Sequence, residues 1–383
     1  MTDQRIPRIL VPRSREGEIT RRLFLGGVVG AGATLALAAC APGDAGSGGS
    51  GSGGGSGTMR VYSWSGYDAP ENVKGFASGV AIDSYSSNEE MIAKLVAARG
   101  TSGYDIVIPT GVFVPQMAEN DLLEKLDLSR LKNLGNIDAA FLGQAWDPDN
   151  TYTVPKYWGT TGFAYDTRVI TRELVSWDDF IDAAKNEASG RTSLADDPGE
   201  ICAILCFARG WDQSTQDKGE LEKIRTFLVD ELAQHISAFD SAPGSGAIPQ
   251  GSQALVHTWN GEARRGIMAS SEPDRWKWVL PTPDTNLWTD NWAIVKGAQN
   301  IDAAYEFIDY SLGLEQAVRN TEYVGYGTGI GAAESQLAAE DAPLLGMIFP
   351  SEEEKQRMYT GQINAAQETR MQIVAEMKAR AGA

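Results

Sequence analysis

In "NLWTDNWAI", residues 286–294, one carboxylate, Asp290, stands two places from an indole on each side, Trp288 and Trp292. Read as a strand, the stretch puts all three side chains on one face, because side chains alternate with period two. A carboxylate buried there needs a partner, and no basic residue follows until Lys296. The partner is therefore a distant Arg or Lys, or a group that is not protein. Aromatic faces attract cations at roughly 0.5–2 kcal/mol per contact, so an acid flanked by indoles suits an ammonium group. A second acidic pair, Asp197 and Glu200, lies in "LADDPGE". Asp197 as N-cap, Pro198 in the first helical position and Glu200 in the third would form a capping box for the helix "EICAILCFA". A capping carboxylate still keeps one oxygen free for another partner. Three carboxylates beside tryptophans also fit the acid and base of an exported glycosidase, which stacks sugars on indoles.

Composition narrows these chemistries. With 383 residues, 42% hydrophobic and 22% charged, the chain is long enough for two domains with substantial cores. The 33 basic residues against 51 acidic ones leave a net charge of −18, which disfavours nucleic acid and anionic ligands and favours cations. Two histidines and three cysteines are too few for a zinc or iron site of imidazoles and thiolates, and no cofactor is expected. The sequence contains no HExxH and no P-loop, and His235 and His257 sit in ordinary helix and strand contexts with no Ser-His-Asp set around them. A Gly-Ser-Gly-Ser-Gly string formally matches a nucleophile elbow but has neither strand before it nor helix after it. These absences weigh against metalloprotease, nucleotide-hydrolase and serine-hydrolase chemistry. Cys202 and Cys206, one helical turn apart, read as two small core residues rather than a bridge.

The elements that must position the acids follow from periodicity. "MRVYSW" and "GVAIDSYSS" read as strands. Asn88 caps "EEMIAKLVAARG", whose Met91, Ile92, Leu95 and Val96 share one face, with Gly100 as its stop. "YDIVIPT" is a continuous apolar strand of the kind buried in a parallel sheet, completing a βαβ unit. "YTVPKYWGTTGFAYD" adds strand, "WDDFIDAAK" and "LEKIRTFLVDELAQHI" read as helices, and "QALVHTWNGEARRG" is a strand entering a helix. "AAYEFIDYSLGLEQAVRN" and "QETRMQIVAEMKARAG" are amphipathic helices. The pattern is α/β throughout.

Ahead of this body, Thr20-Arg21-Arg22-Leu23-Phe24-Leu25 fits a twin-arginine export signal. The apolar run that follows to Ala39 has 17 residues, four of them glycine, and is short for a membrane span. It ends in Leu37-Ala38-Ala39-Cys40, a lipobox. Residues 1–39 are thus expected to be a signal peptide, and Cys40 the lipidated first residue of the mature chain; the alternative, an uncleaved anchor helix, also exports it. Removing residues 1–39 takes away six basic and three acidic side chains, for a mature charge of −21. The Gly/Ser tract of residues 40–58 reads as a flexible linker, so the body would be tethered to the outer face of the cell membrane, on the periplasmic or cell-wall side.

From Met59 to the end, the chain resembles the spermidine/putrescine-binding components of ABC importers. The segments "YSWSGY", "SYSSNEEMIAKL", "YDIVIPT", "NTYTVPKYWGTTGFAYD", "LADDPGE", "TWNG", "LWTDNWAI" and "VGYGTGIGAA" occur in that family's order and spacing. The resemblance implies a type II periplasmic-binding-protein-like fold of two lobes, each an α/β sandwich, with a ligand cleft between them. It assigns residues 59–162 and 291–345 to lobe 1, and 163–290 and 346–383 to lobe 2. It implies an exported protein that captures a linear polyamine, putrescine or spermidine, and delivers it as a monomer to an ABC permease with its ATPase. The implied ligand contacts are Trp64, Ser65, Tyr67, Thr110, Asp197, Glu200, Ser241, Trp259, Trp288 and Asp290, with Trp292 assigned to the core. Gly66 stands where that family often carries Glu, and Val112 where it carries Tyr. Asp68 is the residue that would swing in to replace the missing acid, and Gln362 is the candidate for a C-terminal contact. Counting carboxylates, Asp197, Glu200 and Asp290 suffice for two ammonium groups, which predicts preference for a diamine or little discrimination. The alternative is the same fold holding thiamine, a phosphonate or a metal; an anionic solute would want basic residues, and only Lys156 and Arg264 lie near the matched segments.

Overall fold

The computed structural model describes residues 58–382. The expected signal peptide, Cys40 and nearly all of the linker lie outside the described residues. A single mixed sheet carries ten strands: β1 (Met59–Trp64), β2 (Val80–Tyr85), β3 (Ile106–Val107), β4 (Thr153–Asp166), β5 (Thr192–Leu194), β6 (Ile236–Phe239), β7 (Leu255–Trp259), β8 (Trp276–Val279), β9 (Thr285–Ile294) and β10 (Met358–Tyr359). Their order is β2-β1-β3-β9-β4-β7-β5-β6, with β10 on β9 and β8 on β4. Strand β1 pairs in parallel with β2 and β3, and β5 pairs in parallel with β6 and β7. Two parallel groups are thus joined through antiparallel β4 and β9.

Alternation along the strands builds a core on each face of each group. Met59, Val61, Ile106 and Ile294 enter one core, while their neighbours Tyr62, Val107, Ala293 and Val295 enter the opposite one. In the other group Phe163, Tyr165, Leu194 and Leu255 face one core, and Ala164 and Val256 the other. Two sandwiches sharing two long strands make a two-lobed α/β molecule. All 14 residues of β4 are buried, because the strand starts in one lobe's core at Val154 and finishes in the other's at Tyr165.

Local expectations hold with instructive exceptions. The helix Asn88–Ala98 is capped by Ser87, whose side chain accepts from the Glu90 amide, and not by Asn88. Asn88 is buried and spends its amide on Thr110 instead. Strand β3 is shorter than its apolar run because the chain turns at Thr110 to enter a short 3-10 turn. The run from Lys218 is helical to Arg225, widens into a π-type segment over Thr226–Leu232 and ends in a 3-10 turn. "AAYEFIDYSLGLEQAVRN" is two helices, Ile301–Ser311 and Leu314–Val324, broken at Gly313. Cys202 and Cys206 are free and buried. Among the described residues, no helix is long and apolar enough to cross a membrane.

Candidate functional site

Between the lobes lies a cleft. Strand β9 brings Asp290 to its floor. In the β4–β9 pairing Asp290 stands opposite Tyr157 and Asn291 opposite Pro155, so Lys156 is the extra residue of a bulge. A bulge re-aims the side chain it carries. Here the Lys156 ammonium sits 3.7 Å from the centre of the Trp292 ring and 2.5 Å from Asp68. Trp292 is accordingly core, as expected, while Trp288 and Asp290 line the cleft.

Asp290 accepts from the Tyr67 hydroxyl at 2.5 Å and from the Thr110 hydroxyl at 2.6 Å. With only 4% of its surface exposed, its carboxyl is pushed up to about 6 by burial, against the pull of those two donors and of Lys156. Asp290 thus has no structural Arg; its partners are neutral donors, with one buried cation behind them. Asp68 does not swing into the cleft. It is buried in the pair with Lys156, two residues that burial pushes toward neutrality and attraction holds charged.

The second wall is the start of the helix Pro198–Arg209. Asp197 is its N-cap and accepts from the Glu200 amide at 3.0 Å. The reciprocal half of the capping box is not made, because the Glu200 carboxylate turns toward the cleft. Its Oε1 accepts from Thr161, Asn286 and Trp259 at 2.8, 2.8 and 3.2 Å. The helix N-terminus favours anions there, yet burial first and Asp197 next push the Glu200 carboxyl up to about 7. Neither Asp197, Glu200 nor Asp290 has a Lys or Arg in ion-pair contact among the described residues.

Aromatic rings close the space between the two walls. Trp64 and Trp259 approach with ring centres 6.3 Å apart, and Trp288 meets Tyr326 edge-on at 4.8 Å. Trp288 lies so close over β4 that a Cβ on Gly159 would come within 2.3 Å of its ring, so no other residue fits there. All ten positions expected from the sequence line this one cleft: Trp64, Ser65, Tyr67, Thr110, Asp197, Glu200, Ser241, Trp259, Trp288 and Asp290. Gln362 lines it too, its amide held by Ser214.

Sequence reasoning missed Glu262, Asn286 and Tyr326, which also line the cleft. Glu262 is buried and committed elsewhere, to Arg265 and to the Gly244 amide. Arg265 in turn donates to the Gly66 carbonyl at 3.3 Å, and a side chain at Gly66, where φ is +64°, would meet that guanidinium at 3.1 Å. The acid absent at position 66 is thus matched by an arginine occupying its space. Only the adjacency of Glu262 to "TWNG" signalled it.

A family model described as bacterial extracellular solute-binding protein matches residues 76–345. The chain belongs to this family. Two curated relatives agree: the solute-binding protein is 30% identical over 289 residues to spermidine/putrescine-binding periplasmic protein 1 of Haemophilus influenzae, covering 74% of this chain and 78% of that one. It is 31% identical over 294 residues to the putrescine/agmatine-binding protein of Pseudomonas aeruginosa, covering 72% and 79%. Among solved structures, a spermidine/putrescine ABC transporter substrate-binding protein of Streptococcus pneumoniae matches with a TM-score of 0.69 at 29% identity, covering 85% of this chain and 99% of the other. A putative spermidine/putrescine ABC transporter protein of Listeria monocytogenes matches with a TM-score of 0.75 at 26% identity, covering 84% and 98%. The two-lobe fold of the solute-binding protein is therefore that of type II periplasmic binding proteins.

Proposed function

We propose that the solute-binding protein captures a linear polyamine in its interlobe cleft and delivers it, chemically unchanged, to an ABC permease with its ATPase. One observation carries this reading: carboxylates on both walls, the buried Asp290 and Glu200 and the half-buried Asp197, make no ion pair with a Lys or Arg among the described residues and share their cleft with aromatic faces. Ammonium groups joined by methylenes satisfy both kinds of surface, the charges on the acids and the methylenes on Trp64, Trp259 and Trp288. The names carried by the relatives point the same way. The lobes are taken as residues 59–162 with 291–345, and 163–290 with 346–383. The chain works as a monomer exported by a twin-arginine signal and anchored through lipid on Cys40. Isothermal titration with putrescine, spermidine, spermine, thiamine and a phosphonate tests the ligand class. A polyamine should bind in the micromolar range, about −8 kcal/mol, and be recovered unaltered, with the others silent. Failure of every polyamine to raise the melting temperature would end the reading, because a ligand specific to the native state must stabilise it. Cys40→Ala should move the protein from membranes into the soluble extract.

A further inference from the structure

Glu262 is the cleft acid that neither wall uses. It lies in the helix Asn260–Ala269, which follows β7, and is 6% exposed. Its Oε2 accepts from the Gly244 amide at 3.0 Å, and its Oε1 is paired with Nη2 of Arg265, one turn further along the helix. The side chain is wedged there: a Cβ on Gly244 would come within 2.5 Å of the Glu262 backbone and 2.8 Å of Oε2. Arg265 then bridges from the helix after β7 to the loop after β1. Its Nη1 donates at 3.3 Å to the carbonyl of Gly66, which stands between the cleft residues Ser65 and Tyr67. The guanidinium fills the space beside Gly66 so closely that a Cβ there would lie 3.1 Å from Nη1. An ion pair spends the charge of both partners on each other. An ammonium leaving water for this end of the cleft would therefore meet a guanidinium and neutral groups, which compensate a buried charge poorly.

We propose that Arg265 is a specificity-determining residue: by holding Glu262 in an ion pair and occupying the space beside Gly66, it leaves the cleft with charge for two ammonium groups and makes the protein select a diamine over a triamine. The inference rests on the polyamine reading. Asp290 serves one ammonium and the Asp197–Glu200 pair the other. Glu262 is the acid that would serve a third, and the cation already on it decides against that.

Competitive titration with putrescine and spermidine tests this. The unmodified protein should bind putrescine at least as tightly as spermidine. Arg265→Met, which keeps the apolar stem and frees the Glu262 carboxylate, should move the affinity ratio about tenfold or more toward spermidine. Glu262→Gln, which leaves the guanidinium unpaired in the cleft, should move it about threefold or more the other way, because spermidine carries the additional charge. The double variant should return the ratio to within about threefold of the original. Loss of packing alone would move both single variants alike, so opposite shifts separate charge from structure. Spermidine binding tighter than putrescine in the unmodified protein would overturn the proposal, as would single variants whose ratios shift in the same direction or not at all, or a double variant that keeps the gain. If Arg265→Met fails to fold, Glu262→Gln decides by the sign of its shift. Absence of binding by both amines is a different outcome, and would remove the polyamine reading itself.

Discussion

The two walls of the cleft hold their acids in opposite ways. Asp290 is met by a donor on each oxygen and has Lys156 behind it, so burial is the only influence raising its carboxyl. Glu200 gathers three donors on one oxygen and has Asp197 beside it, so burial and a like charge act together. On the Asp290 wall the donors and Lys156 oppose the cost of burial, though burial still prevails. The Glu200 wall is strained electrostatically until a cation arrives, and this is the wall that gains most from a ligand ammonium.

Lys156→Met would collapse the difference. Leaving Asp68 buried without its cation should cost about 3–5 kcal/mol of stability, measured by chemical denaturation, and should raise the Asp290 carboxyl toward that of Glu200. A loss under about 1 kcal/mol would mean that the buried pair does not separate the walls.

Asp290→Asn strikes the first wall directly. One charge contact in a closed cleft is worth a few kcal/mol, so titration should show polyamine affinity falling by about a hundredfold or more. Trp64→Ala, which removes one aromatic face, should cost only about 1–2 kcal/mol. The reverse ranking would make the aromatic faces, and not the acids, the main source of affinity.

The smallest effect is a pH dependence with a definite sign. Asp290 rises from the ordinary 3.8 to about 6 and Glu200 from 4.5 to about 7. In the window between the ordinary and raised values the folded protein holds more protons than the unfolded chain, so its stability without ligand falls as pH rises through that window. Polyamine binding needs the ionised acids, so the ligand-induced increase in melting temperature should grow over the same interval. Glu200→Gln should flatten the part of the slope nearest pH 7 and Asp290→Asn the part nearest pH 6. A flat profile in the unmodified protein would show that neither acid is held above its ordinary range.

How much of this was readable in advance differs by residue. Asp197 as N-cap is a local matter, decided within three residues, and the structure keeps it. Glu200 was assigned to the same box, yet its side chain left the backbone for Thr161, Asn286 and Trp259, partners 39 to 86 positions away. Asn88 shows the same pull: its type suits a cap, but Ser87 takes that place and Asn88 braces Thr110 from 22 positions away. Asp68 looked like a free acid beside a glycine-rich loop, and only the bulge that brings Lys156 to it shows otherwise.

By itself the sequence determined what depends on spacing and composition: the βαβ order of elements, the common face of Trp288 and Asp290, the acidic balance, and the ordered segments that carry the ten cleft positions. These are short-range or additive properties, and period-two alternation or net charge survives any packing. Tertiary structure alone decided which acids are compensated. Lys156 reaches Asp68 across 88 residues, Arg265 fills the space beside Gly66 across 199, and Glu89 meets Gln367 across 278. A carboxylate's charge state depends on burial and on neighbours within a few ångströms, and both are properties of the folded chain that residue type and spacing do not encode.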